Sequence, residues 1–101
     1  MGFTQIVFRH MVRSPEIGER IRKLSGGLQE RHPGIERCRA AVEDFPAEGG
    51  VHGLKVTVEL RVAGSTLMAS AHDLQIEPAL QAVFAQLEKR LRAIAARTRV
   101  A

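Results

Sequence analysis

A chain of 101 residues that is 45% hydrophobic and 26% charged has the composition of one globular domain, residues 1–101, rather than of a disordered segment. With no Trp or Tyr and only four Phe its core must be chiefly aliphatic, and Lys and Arg outnumber Asp and Glu by 15 to 11 for a formal charge of +4, a balance that favours an anionic partner. The single cysteine, Cys38, excludes an internal disulfide framework, and no run of residues has the apolar length of a leader peptide or a membrane span, so the cytoplasm is the expected location.

In chain order, Phe3 to Arg9 is rich in β-branched and aromatic residues and reads as a first strand. Ser14-Pro15 then starts a helix. A serine can accept from the free N–H groups of the first turn, and a proline at the first helical position loses no hydrogen bond. Ile17, Ile21, Leu24 and Leu28 follow at helical spacing on one face. His32-Pro33-Gly34 ends the helix, because proline disfavours helical geometry in the residue before it. Gly26-Gly27 inside this helix reads either as a weak or bent spot or as a place where another backbone or a ligand comes close.

Ile35 to Phe45 reads as a second strand with Cys38, Ala40 and Val42 on one side, and Pro46-Ala47-Glu48-Gly49-Gly50 as a flexible turn. The third strand has the clearest pattern: Leu54, Val56, Val58, Leu60 and Val62 alternate with Lys55, Thr57, Glu59 and Arg61. One face is therefore buried and the other wet. Ala63-Gly64-Ser65 turns the chain into a fourth strand, Thr66 to Ala71, with Leu67, Ala69 and Ala71 on one side. Pro78 is a first-turn proline of a second helix, whose stripe is Leu80, Val83, Phe84, Leu87, Leu91 and Ile94. Arg97 to Ala101 are expected to fray.

The order β-α-β-β-β-α predicts an α+β fold. Strand one, helix one and strand two form a crossover with parallel strands, and strands two, three and four form an antiparallel meander. Both helices must lay their stripes on the one apolar face of a four-stranded mixed sheet, giving a two-layer sandwich.

Read together, these residues resemble a known family. The run Ile6 to Met11, then Ser14-Pro15-Glu16-Ile17, Arg20-Ile21-Arg22, Leu28, His32-Pro33-Gly34-Ile35, Cys38-Arg39 and Val42-Glu43, is similar to the start of ribosome hibernation-promoting and ribosome-associated translation inhibitor proteins, the sigma-54 modulation family. Val56 to Val62, Gly64 and Leu67 to Ala71 resemble its last two strands, and Leu87 to Arg92 its closing basic helix. The chain departs from the pattern at Gln75 to Pro78, where many members carry an acidic-hydrophobic-Tyr motif, and at Leu24 to Gly27, where lysines are frequent. The resemblance implies a fold related to double-stranded RNA-binding domains and docking on the small ribosomal subunit and its rRNA, where mRNA and tRNA sit. A chain ending at residue 101 resembles the short type, without the ribosome-pairing module of longer members.

Binding of duplex-like RNA requires positive charge arranged in space rather than a reactive group. At helical periodicity Arg20 and Arg31 share one flank of the first helix with Lys23 nearby. On the second helix Arg90 and Arg97 share one flank, Arg92 and Arg99 the other, and Lys89 points away from the core. Arg20, Lys23, Arg31, Lys89, Arg90, Arg92 and Arg97 are therefore the candidate RNA-binding residues. The competing reading is a solvated charged face that Glu19, Glu30 and Glu88 partly neutralise.

His10, His32, His52 and His72 show no metal-ligand spacing and read as surface or capping residues. Cys38 reads as core, although Arg37 and Arg39 beside it could lower a thiol pKa. The Gly49-Gly50 turn lacks the Lys-Ser/Thr and following helix of a phosphate loop, and no nucleophile–base pattern has local support. No enzyme, cofactor, metal, DNA or membrane role is expected. The second function class is a protein-interaction or structural module that keeps the fold without rRNA affinity, self-associating through the exposed sheet face, with the edges of strands one and four as further pairing sites for a homodimer.

Overall fold

The structure, a computed structural model, describes residues 4–46 and 48–100, the side chains of 98–100 excepted. Phe3, Ala47, Ala101 and the Arg99 side chain thus lie outside the described residues. The elements run β1 (Thr4–Arg9), α1 (Pro15–Arg31), β2 (Ile35–Pro46), a single 3-10 turn (Glu48–Gly50), β3 (His52–Val62), β4 (Ser65–Asp73) and α2 (Ile76–Val100). This is the expected β-α-β-β-β-α order. The sheet follows the order β1-β2-β3-β4, with β1 parallel to β2 and the other two junctions antiparallel.

Local signals account for the boundaries. The Ser14 hydroxyl accepts from the Ile17 N–H at 3.3 Å, and Pro15 occupies the start of the helix. The far end closes at His32, whose N–H reaches the Leu28 carbonyl at 2.9 Å. The second helix opens two residues before Pro78, which still lies in the first turn, where a missing N–H costs nothing. At its other end α2 extends through Val100. Ala93, Ala95 and Ala96, the strongest of helix formers, carry it past its apolar stripe.

Both helices cover one face of the sheet. Ile21 and Leu28 from α1, Val56, Val58 and Leu60 from β3, and Leu80, Val83 and Leu87 from α2 meet in the core, with Cys38, Ala40 and Val42 of β2 between them. The outer face of the sheet is uncovered. Between β3 and β4 the turn consists of Ala63 and Gly64, both at positive φ (50° and 78°). That backbone is the two-residue hairpin turn whose twist matches the strands, and it favours Asn-Gly.

One polar residue enters the core. Ser25 is fully buried on α1, and its hydroxyl lies 2.7 Å from Thr4 Oγ1 and donates to the Arg22 carbonyl at 3.2 Å. Thr4 also hydrogen-bonds the thiol of Cys38, its register partner on β2. This short chain of contacts ties α1 to the parallel strand pair. Burial pushes the Cys38 thiol up to about 11, outweighing the Thr4 hydrogen bond that acts in the opposite sense. Arg37 and Arg39 do not lower it, because alternation along β2 turns them to the outer face. Cys38 is a core residue.

The glycine pair of α1 is a weak spot rather than a close approach. A Cβ added at Gly26 would meet nothing within 4 Å, and one at Gly27 only the Arg31 guanidinium, at 3.2 Å.

Candidate nucleic-acid interface

The two helices lie side by side, and charge joins them. Arg20 Nε donates to the Glu77 carboxylate, and Arg31 Nε donates to Glu88 Oε1 at 2.6 Å. Both pairs link residues 57 positions apart. An equal offset about three turns further along means that α1 and α2 run parallel. Glu88 is the more enclosed acid, its side chain 17% exposed. It also accepts from His32, the residue that closes α1, and Arg92 stands 3.8 Å away. Burial alone would raise the Glu88 pKa; the hydrogen bonds from His32 and Arg31, then their charges, outweigh burial and hold it below the usual carboxylate value.

The seven candidate cations are not gathered on one surface. Arg20, Arg31 and Arg92 sit at the seam between the helices beside Glu77 and Glu88. Arg90 reaches the opposite way and donates to the Met68 carbonyl on the β4 edge. Arg97 lines the same groove as Arg90, an open cavity of about 370 Å³ whose floor includes Thr66, Met68 and Ile94. Lys23 and Lys89 are exposed and make no ion pair among the described residues. Arg20 with Arg31 and Arg90 with Arg97 share flanks as helical periodicity predicts, but the Arg90 and Arg92 flanks of α2 face different neighbours.

Neutralisation is real at the seam. Glu88 acts as the sequence suggests, whereas Glu19 and Glu30 make no ion pair among the described residues. Glu77 is a partner that the sequence reading did not single out. A signal was present, because Glu77 and Glu88 are spaced along α2 as Arg20 and Arg31 are along α1.

Nothing in the site suggests bond-making chemistry. His32 caps a helix, His52 hydrogen-bonds Asp44 at 2.9 Å, and His72 stacks on Phe45 with ring centroids 4.7 Å apart. Among the described residues no group of three His, Cys, Asp or Glu side chains is placed to hold a metal ion. An open groove of about 390 Å³ between β1 and α1 is lined by Ile6, Phe8, Arg13, Gly18 and Arg22. Ser14 and Glu19 also line it, with the Ser14 hydroxyl engaged as the cap of α1, accepting from the Ile17 N–H. No described helix is long and apolar enough to cross a membrane.

Comparison with known proteins then settles the lineage. The family described as Sigma 54 modulation protein / S30EA ribosomal protein matches residues 4–99. The chain belongs to this family. Solved structures share its fold. A ribosomal subunit interface protein from Coxiella burnetii is 18% identical, with a TM-score of 0.70, covering 95% of this chain and 99% of that one. The Protein Y N-terminal domain of Thermus thermophilus is 13% identical, with a TM-score of 0.74, covering 93% and 99%. No curated protein matches the chain. As a sigma-54 modulation protein, it belongs among ribosome-associated modulation factors, a non-enzymatic class.

Proposed function

We propose that this protein is a translation inhibitor of the hibernation type, which docks on small-subunit rRNA and blocks the channel used by mRNA and tRNA. Its site of action is then the cytoplasm. The observation that carries this reading is the family match across residues 4–99, which spans every strand and both helices. The charge distribution is compatible with it. Lys23, Lys89 and Arg97 are solvent-facing cations, and the Arg20, Arg31 and Arg92 pairs are exposed enough on the arginine side to be exchanged for phosphate. Surface pairs of this kind contribute little to stability, so exchanging a carboxylate for a phosphate costs little. Inhibition by occupancy needs no cofactor and no catalytic step.

The test is cosedimentation of the purified protein with bacterial small subunits at low and moderate salt. Saturable binding near one copy per subunit, weakening steeply with salt, supports the proposal. No binding at low salt overturns it. Salt-insensitive self-association through the exposed sheet face would instead favour the interaction-module reading.

A further inference from the structure

We infer that the uncovered face of the sheet holds a second anion-binding site, built by Arg37, Arg39 and Arg61, and that its ligand is the phosphate backbone of RNA. This inference rests on the RNA-binding reading above but concerns the opposite side of the molecule from the helix seam.

The strand register makes the case. Arg37 on β2 faces Arg61 on β3 as a direct cross-strand partner. Like charges in that position repel and cost stability. The neighbouring acids relieve this only in part. Glu36 accepts from the Gly64 N–H at 3.1 Å and stands 4.0 Å from Arg61, beyond hydrogen-bond distance. Glu59 is the register partner of Arg39, yet neither Arg37 nor Arg39 makes an ion pair among the described residues.

The three arginines, with Glu59 and the Thr66 side chain, surround an open cavity of about 80 Å³. Three cations against two carboxylates, Glu59 in the lining and Glu36 beside Arg61, leave it net positive. Arginine's planar fork suits bidentate phosphate contacts. Arg37 and Arg39 are alternate residues on one strand, roughly 6.8 Å apart at the backbone, a separation that lets them take neighbouring phosphates of one nucleic-acid strand. A polyanion would turn the Arg37–Arg61 repulsion into shared attraction. Arg20 and Arg31 at the seam, in contrast to Arg37 and Arg39, already have carboxylate partners.

The test compares wild type with the double variant Arg37→Gln/Arg39→Gln. Fluorescence anisotropy is measured against an RNA duplex of about 16 base pairs across a salt series. Wild type should bind. The variant should bind about tenfold more weakly at low salt, and its log affinity against log salt should be shallower by about 0.7–0.9 per arginine removed. Its Tm should not fall, because the cross-strand repulsion is gone. A variant with unchanged affinity and slope overturns the sheet-face site, as does a wild type that ignores the duplex. Parallel cosedimentation with small subunits reports on the translation-inhibitor reading separately. Wild type that pellets with subunits and a variant that pellets equally well would retain that reading and reject this one.

Discussion

Arg31 and Glu88 form the bond at 2.6 Å that joins the last turn of α1 to the middle of α2. Glu88 gathers Arg31, His32 and Arg92 around one half-enclosed carboxylate. Glu88→Gln should therefore lower stability by about 1 kcal/mol at neutral pH, read by thermal or urea unfolding. The same substitution releases two arginines, so affinity for small subunits should rise a few-fold with a steeper salt dependence. Weaker binding by a folded Glu88→Gln variant would show that the seam does not hold phosphate.

The pH dependence of that difference has a defined sign. The folded-state pKa of Glu88 is held below the ordinary glutamate value, so its contribution is fully present above that ordinary value. It is lost as pH falls through the depressed folded value. The stability gap between wild type and Glu88→Gln should close as pH falls below ~4.5. A gap that persists undiminished toward pH 2 would mean that the carboxylate charge is not what stabilises the seam.

Two substitutions should stabilise the fold without touching the proposed surfaces. Gly26→Ala places a methyl where nothing lies within 4 Å and should add about 0.5–1 kcal/mol. Ala63→Asn relieves a positive φ of 50° in the hairpin turn and should add about as much. In a domain of this size each kcal/mol raises Tm by about 4–8 °C. A lower Tm for Gly26→Ala would reveal an approach to this turn that the structure does not contain.

Cys38 should be silent to thiol reagents in the native state. It is buried, and its thiol is pushed up to about 11, so neither access nor thiolate is available near neutral pH. Modification by an aromatic disulfide reagent should occur only through unfolding and accelerate with denaturant. Rapid stoichiometric labelling of folded protein would contradict the placement of β2.

On the β4 side, Arg90→Glu with Arg97→Glu should weaken small-subunit binding while leaving the protein folded, since Arg90 gives up only an exposed hydrogen bond to Met68. Unchanged cosedimentation would remove this groove from the interface.

How legible the molecule was in its sequence depends on which interactions are local. Periodicity found β3 and both helices, because Leu54 to Val62 and Leu80 to Ile94 each turn one face to the core, while β1 was legible from its β-branched and aromatic residues. The Ser14-Pro15 start was readable for the same reason: a cap is made by its own neighbours. The site was less legible because its decisive contacts join α1 to α2 at an offset of 57 residues. Periodicity put Arg20 and Arg31 on one flank, but it could not show that Glu77 and Glu88 would stand opposite them. It likewise separated the Arg90 flank from the Arg92 flank without revealing that one faces a strand edge and the other a helix. The Arg37–Arg61 opposition depends on the β2–β3 register, including its irregularity between Ile35 and Arg37, and no single segment encodes that.

The parallel alignment of the helices has an electrical consequence. In an antiparallel pair the peptide dipoles cancel; here those of a 17-residue and a 25-residue helix add. Each helix carries roughly half a positive charge at its start and half a negative charge at its finish. The Ser14 and Gln75 end of the helix pair therefore carries both positive poles, and the Arg31 and Val100 end both negative ones. Arg31 in the last turn of α1 and Arg97 in the last turn of α2 answer the negative poles with full positive charges, so the parallel pair finishes in basic side chains rather than in bare carbonyl dipoles.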